Sequence, residues 1–132
     1  MREHASRYLE SQVLTAGREQ LLILTYDGLL RFLQRARLAI RQRDYEAKHA
    51  GLSRAQALLL ELHRTLDFQA SPDLARSLAA LYTYMLEELA RADSLDDESR
   101  VAHAIELLST LRSAWVEAAA SAQRGASGKE SL

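Results

Sequence analysis

The chain has 132 residues, of which 17 are Lys or Arg and 18 are Asp or Glu, so its formal net charge at pH 7 is -1. This length favours one domain with a buried core, and this charge gives no general attraction to nucleic acid or an anionic membrane. Because it has no Cys, disulfides, thiolate zinc sites and a Cys nucleophile are excluded. The sequence has no apolar run long enough to span a bilayer, and its first residues lack the apolar stretch of a signal peptide. We therefore expect a cytosolic protein without stable membrane insertion.

The composition predicts an all-α fold. Leu and Ala supply 25 and 22 residues, whereas Val and Ile together supply six. Leu and Ala favour helices, and β-branched residues favour strands. Apolar residues recur at helical spacing in four stretches, which predict long helices over residues 18–43, 45–68, 72–92 and 98–123.

The residues between these stretches carry the signals of helix starts. Gly17 is the predicted N-cap of the first long helix and Asp44 that of the second. Ser71 precedes Pro72, which places a capping hydroxyl before a proline at the first helical position. In the third helix the predicted core stripe is Leu74, Leu78, Leu81, Met85, Leu89 and Ala92.

Short links between long helices predict an antiparallel up-down bundle of four long helices. A short N-terminal amphipathic helix precedes it. We divide the chain into this N-terminal segment, residues 1–14, the bundle, residues 15–124, and a small polar tail, residues 125–132, expected to be flexible.

One candidate metal pair is present. Glu46 and His49 stand three residues apart, so both side chains share one helix face. A di-iron bundle needs two Glu-x-x-His motifs and two further Glu, and no second copy is found. Glycine-rich phosphate loops and serine-nucleophile motifs are also missing. We expect neither an enzyme nor a cofactor, and keep a metal-binding bundle as a minor alternative.

The densest basic stretch lies between Arg31 and Arg43 and contains five Arg. Phosphate binding is one interpretation, which would make the chain a regulatory or nucleic-acid-binding protein. A solvated helix face is favoured, because the overall charge is balanced and no aromatic residues interleave to stack bases. We expect no nucleic-acid partner.

Tyr82 and Tyr84 are two residues apart, so they point about 200° apart around a helix and cannot both face one core. Tyr82 is expected at the core edge and Tyr84 on another surface. Trp115 lies on the stripe of the last helix and is expected in the core. Apolar residues beyond the stripes indicate surplus apolar surface, at Leu24, Leu30, Leu60, Leu86 and Tyr84.

Five segments resemble the flagellin export chaperones of the FliS family. Residues 22–33, LILTYDGLLRFL, are similar to its Leu-Tyr-Asp-Gly-(apolar)-x-x-Phe-Leu signature, and residues 81–85, LYTYM, to its Leu-Tyr-x-Tyr-Met helix. Residues 61–66, ELHRTL, resemble the family's segment between these two motifs. Residues 108–115, LSTLRSAW, resemble its closing motif. Upstream, Tyr8 and the segment from Val13 to Ala16 match the N-terminal part of the family.

The resemblance implies a cytosolic chaperone of bacterial flagellum biogenesis. It implies binding of the disordered C-terminal segment of flagellin, prevention of premature polymerisation, and delivery to the flagellar type III export apparatus. The implied partners are that segment and the cytoplasmic domain of the export gate, with an anti-sigma factor or a co-chaperone as a further candidate.

The residues expected to line or cap the flagellin-binding surface are Tyr8, Val13, Leu14, Tyr26, Tyr82, Tyr84, Met85 and Leu89. Tyr26 and Trp115 fit the core equally well. In this family the N-terminal segment can cover part of the empty groove, so residues 1–14 are a candidate cap that the client displaces.

Overall fold

The chain folds into four helices. The computed structural model describes the backbone of residues 2–130 and the side chains of residues 17–125. The helices are α1 (Arg2–Arg41), α2 (Tyr45–Arg64), α3 (Pro72–Leu95) and α4 (Glu98–Glu130). No strand occurs in the described backbone, so the all-α prediction is confirmed.

The predicted start of the first long helix is wrong. Gly17 was the predicted N-cap of that helix, but α1 runs unbroken from Arg2 to Arg41, so Gly17 is an interior helical residue. A glycine inside a helix costs only about 1 kcal/mol relative to alanine, so one glycine does not end a helix whose flanking residues favour it. The last helix also extends beyond its predicted end near Gln123, into the tail that we expected to be flexible. That flexibility stays a prediction.

The other helix starts follow the sequence signals. Asp44 caps α2, since its Oδ1 accepts a hydrogen bond of 3.1 Å from the amide of Ala47. Pro72 occupies the first turn of α3, but the side chain of Ser71 makes no capping hydrogen bond. Residues 65–71 link α2 to α3. In this link the Oδ1 of Asp67 accepts hydrogen bonds of 3.0 Å from the backbone amides of Gln69 and Ala70.

Two turns use a left-handed residue other than glycine. Arg43 (φ 57°) follows α1, and Asp96 (φ 54°) ends α3. In each case the amide of the next residue donates back to the preceding helix, from Asp44 to Ala39 at 2.9 Å and from Asp97 to Ala92 at 3.0 Å. These bonds close the helix ends and keep the links short.

The described residues form two compact units. One contains residues 1–27 and 110–132, and the other contains residues 28–109. The second unit contains the end of α1, all of α2 and α3, and the start of α4, and α2 packs directly against α3. Its core is made of buried side chains from all four helices, including Leu29, Leu33, Leu52, Leu59, Leu78, Met85, Leu89, Val101 and Leu108.

A small-residue contact brings α1 close to α2 in this unit. Gly51 of α2 lies against α1 so closely that an added Cβ would stand 3.1 Å from the carbonyl oxygen of Phe32 and 3.3 Å from the Cβ of Ala36. The two backbones therefore approach closely where the side chains are smallest.

In the first unit the first part of α1 contacts the last part of α4. Asp27 forms an ion pair with Arg112. Trp115 is only half-buried, and together with Leu22 and Ala119 it lines a cavity of about 180 Å³. Its buried indole Nε1 has no hydrogen-bond partner in the part of the chain that is described. Trp115 is therefore at the edge of the core and not in its centre.

Candidate functional site

Helix α3 presents two different faces, as its tyrosines predict. Tyr82 is only 2% exposed, whereas Tyr84 is 43% exposed. The core stripe is shifted by one residue in places, because Ala75 and Tyr82 are buried while Leu74 is exposed and Leu81 half-buried. This stripe also advances by alternating steps of three and four residues, so helical periodicity alone does not separate it from the predicted one.

The exposed tyrosine lies where α3 meets α4. Its ring makes an edge-to-face contact with His103, with centroids 6.2 Å apart and planes at 87°. One turn further along α3, Glu88 forms a 2.7 Å ion pair with Arg100. Both contacts follow one antiparallel register. Extended by one turn from the Tyr84–His103 contact, this register pairs Leu81 with Leu107, and both residues are half-buried. We call the surface formed by Leu81, Tyr84, His103 and Leu107 the α3–α4 seam.

A buried carboxylate fixes this register. Glu88 is 8% exposed and also pairs with Arg91 at 3.1 Å. Burial alone would raise the pKa of Glu88, but the hydrogen bonds and charges of Arg100 and Arg91 together hold that pKa below its usual value. In turn, the hydrogen bond to Glu88 raises the pKa of Arg100. The polar end of the seam is therefore a charged, fixed pair, while the other end is apolar.

Further large apolar side chains are exposed in the second unit. They come from α1, α2, the link of residues 65–71 and α3, namely Leu38, Tyr45, Leu60, Phe68, Leu74, Tyr84 and Leu95. Scattered exposed apolar residues are ordinary. The seam differs because its apolar residues are adjacent in register.

The predicted binding residues fall into three groups. Tyr26, Tyr82, Met85 and Leu89 are buried in the core. Tyr84 is exposed on the seam. The side chains of Tyr8, Val13 and Leu14 lie outside the described residues. The structure thus places Met85 and Leu89 on the inner side of the helix that carries Tyr84.

His49, one residue of the candidate metal pair, takes part in an ion-pair cluster. His49 Nδ1 lies 2.6 Å from Asp93 Oδ2, and the neighbouring Lys48 lies 3.1 Å from Asp93 Oδ1 and also pairs with Asp96. In the side chains described here, no three His, Asp or Glu residues gather in a group that could hold a metal ion.

Lys48 is 6% exposed and ties the start of α2 to the end of α3. The hydrogen bond to Asp96 raises its pKa, burial opposes that change, and Asp93 adds to it. Burial would raise the pKa of Asp93, but His49 and Lys48 lower it. This cluster was not predicted, and its only signal in the sequence is that Lys48 is one of two lysines in the chain.

The basic stretch of α1 is partly occupied by internal ion pairs. Arg37 and Arg41 both contact Glu98 Oε1 of α4, at 2.9 Å and 2.5 Å. The hydrogen bond from Arg37 lowers the pKa of Glu98, burial opposes it, and Arg41 lowers it further. These two arginines therefore stabilise the fold and are not free to form a continuous phosphate-binding face with the others.

In the part of the chain that the structure describes, no helix has the length and apolar character needed to cross a bilayer.

Comparison with known proteins identifies the family. Residues 1–122 match the family described as flagellar protein FliS. The flagellar secretion chaperone FliS of Campylobacter jejuni is 33% identical over 110 residues, which cover 83% of this chain and 86% of the relative. The proteins of the same name from Escherichia coli and Bacillus subtilis are 33% and 31% identical, over 83% and 92% of this chain and 81% and 90% of the relatives. The chain therefore belongs to the FliS family, a family of flagellar secretion chaperones and not of enzymes.

Proposed function

We propose that this protein is a cytosolic export chaperone that binds the disordered C-terminal segment of flagellin. Binding masks the segment, prevents premature polymerisation, and allows delivery to the flagellar type III export apparatus. Membership of the FliS family and the relatives' names as flagellar secretion chaperones support the general role. The identity of the client and the delivery step are the proposal.

The α3–α4 seam is the observation that carries this proposal. A disordered amphipathic segment binds by folding as a helix into an apolar groove, and the groove must offer adjacent apolar and aromatic side chains. Tyr84 contacts His103 of α4, and the half-buried Leu81 and Leu107 each lie one helical turn from that contact on the same two helices. Tyr84 suits this role because tyrosine buries a large apolar ring and keeps a polar tip.

The buried residues of the predicted site act through rigidity in this proposal. Tyr82, Met85 and Leu89 anchor the inner face of α3 in the core. A groove that is already formed loses little conformational entropy when a client binds, so more of the contact energy appears as affinity. These residues therefore hold the seam in place, and Tyr84 makes the contact.

The N-terminal segment is the proposed cap of the empty groove. Residues 1–14, with Tyr8, Val13 and Leu14 as the contacting residues, would compete with the client for the same surface. Deletion of residues 2–14 should then tighten client binding. Unchanged or abolished binding would count against a competing cap.

Delivery requires a second contact, for which the proposed partner is the cytoplasmic domain of the flagellar export gate. An anti-sigma factor or a co-chaperone is a further proposed partner. Each of these partners would bind at a surface other than the one that holds the client. A chaperone that delivers a client has to keep holding that client while the export gate recognises the chaperone.

The test is calorimetric titration of the full chain with the C-terminal segment of flagellin from the source organism. We expect one-to-one binding with a negative heat-capacity change and little dependence on salt, because the contact is mainly apolar. The variant Tyr84→Ala should weaken binding about tenfold, the usual effect of truncating an aromatic anchor. Tyr45→Ala is the matched control, because Tyr45 is 52% exposed on α2 and lies outside the seam.

Two results would contradict the proposal. If the wild-type chain shows no binding heat and forms no complex, flagellin is not the client. If binding occurs but Tyr84→Ala and Tyr45→Ala behave alike, flagellin binds elsewhere than the seam. Thermal melting of both variants verifies that they remain folded.

A further inference from the structure

An arginine cluster surrounds Phe32, where α1 and α2 meet. The guanidinium carbon of Arg35 lies 6.0 Å from the Phe32 ring centroid, and that of Arg54, from the other helix, lies 5.7 Å from the same centroid. Arg31 is adjacent in α1, and its Nη2 lies 3.9 Å from where a Cβ on Gly28 would stand. We call Arg31, Arg35 and Arg54, together with Phe32, the arginine cluster.

The charges of the cluster are not neutralised within the described structure. All three arginines are exposed, and none forms an ion pair with any residue between 17 and 125. The acids closest in sequence are already engaged, because Asp27 binds Arg112 and Glu61 binds Arg64. Seven other arginines, by contrast, are paired with acids, namely Arg37, Arg41, Arg64, Arg76, Arg91, Arg100 and Arg112.

The Phe32 ring preorganises the guanidinium groups of Arg35 and Arg54 for ligand binding. Cation–π contact with Phe32 restricts Arg35 and Arg54, so less side-chain entropy is lost when a ligand binds them. A guanidinium held against a ring face keeps its N–H edges free, and two N–H groups match the two oxygens of a carboxylate. Two such groups, together with the exposed and unpaired Arg31 next to Phe32 in sequence, match a segment with several carboxylates.

The same features disfavour nucleic acid. The chain as a whole has a net charge of -1, and two guanidinium groups already lie near the Phe32 ring, so a stacking base would have to displace them. Arg37 and Arg41, which would extend the basic surface along α1, are held by Glu98.

We infer that the arginine cluster is a docking site for an acidic segment of a partner protein, recognised through paired guanidinium–carboxylate contacts. The site lies on α1 and α2, whereas the seam lies on α3 and α4. A partner docked at the cluster therefore leaves the seam available, and the inference stands independently of the identity of the client.

The test is an NMR titration of the ¹⁵N-labelled full chain with a peptide of alternating Glu and Gly. The side-chain Nε–Hε signals of Arg35 and Arg54 should shift, and the affinity should fall as salt is raised. A peptide of the same length with Gln in place of Glu is the control ligand and should not shift them.

Paired variants separate a local site from general charge attraction. The double variant Arg35→Gln/Arg54→Gln should weaken binding about tenfold, equivalent to ~1.4 kcal/mol. Arg64→Gln/Arg76→Gln removes the same charge from exposed arginines that pair within their own helices, so it should change the affinity much less. Arg35→Lys/Arg54→Lys keeps the charge without the planar fork and should recover only part of the loss.

Three results would overturn the inference. The first is equal binding of the Glu and Gln peptides, or no binding of either. The second is an equal loss in the two Gln double variants, which would mean that only net charge matters. The third is tighter binding of a single-stranded oligonucleotide than of the Glu peptide, which would make the cluster a nucleic-acid surface. Melting temperatures of the variants verify that each is folded.

Discussion

Replacing Gly51 by alanine tests the close contact between α1 and α2. A Cβ at this position would stand 3.1 Å from the carbonyl oxygen of Phe32 and 3.3 Å from the Cβ of Ala36. The first of these atoms belongs to the backbone, so it cannot move aside by a side-chain rotation. The helices would have to separate by a few tenths of an ångström.

Gly28 provides a matched control in the same unit. It is also buried within a helix, but an added Cβ would stand 3.5 Å from Leu58 Cδ1, an ordinary van der Waals contact with a flexible side chain. Gly28→Ala and Gly51→Ala therefore gain the same helix propensity and differ only in the space available for the added methyl group.

The two variants should change stability in opposite directions. Alanine in place of an interior helical glycine stabilises by about 1 kcal/mol, which is the expected effect of Gly28→Ala. Overpacking costs about 1–3 kcal/mol, so Gly51→Ala should be destabilised by about 0–2 kcal/mol overall. At roughly 4 °C per kcal/mol for a domain of this size, the melting temperatures should differ by about 4–12 °C.

Urea unfolding followed by circular dichroism measures the difference, provided that both variants unfold with the same dependence on urea. If Gly51→Ala proves as stable as Gly28→Ala, the helices separate without cost. The steric reasoning about this contact would then be refuted.

Three further predictions concern helix continuity and the ion pairs. Gly17→Ala should stabilise the chain by about 1 kcal/mol in a melting experiment if α1 is continuous, and should destabilise it if Gly17 is an N-cap, since alanine is the poorer cap. Lys48→Met should destabilise by about 2 kcal/mol in urea, because it leaves Asp93 and Asp96 without their shared cation; an unchanged midpoint would mean that the cluster is not stabilising. Folding lowers the pKa of Glu98. Glu98 therefore stabilises the folded state at pH values above its unfolded pKa near 4.5, and this stabilisation is lost as the pH falls through its folded-state pKa. Glu98→Gln should therefore have a lower free energy of unfolding than the wild type at pH 7, and the difference should be smaller at pH 3. An equal difference at both pH values would exclude a contribution of Glu98 ionisation to stability.

The order and type of the four long helices could be predicted from the sequence, because Leu and Ala at helical spacing leave few alternatives. Asp44 and Pro72 also marked helix starts correctly, since each has one strong local role. Gly17 did not, because glycine is both a tolerable cap and a tolerable interior residue. Where a residue is compatible with two local structures, the sequence around it does not decide between them.

The phase of the core stripe in α3 shows a different limit. Hydrophobicity ranks Leu74 and Leu81 above Ala75, yet the structure buries Ala75 and leaves Leu74 exposed. Close packing between helices favours small side chains, and this preference depends on the neighbouring helix and not on local pattern. The different exposure of Tyr82 and Tyr84 was predicted correctly, because their angular separation is set by helix geometry alone.

The candidate site could be predicted only in part for the same reason. The seam depends on the register between α3 and α4, which is fixed by contacts such as Glu88 with Arg100. Likewise, the arginine cluster depends on Arg54 reaching a ring on another helix. Such pairings join residues far apart in sequence and leave no periodic signal.

The ion pairs around residues 93–98 determine how the second unit opens. Lys48 joins the start of α2 to the end of α3, and Glu98 joins the start of α4 to Arg37 and Arg41 at the end of α1. At the opposite link, residues 65–71, the hydrogen bonds of the described residues remain within the link or with the adjoining ends of α2 and α3. Amide hydrogen exchange should consequently be slowest near the ion-paired end and fastest near residues 65–71. The helix ends near this link can then fray while the bundle stays assembled.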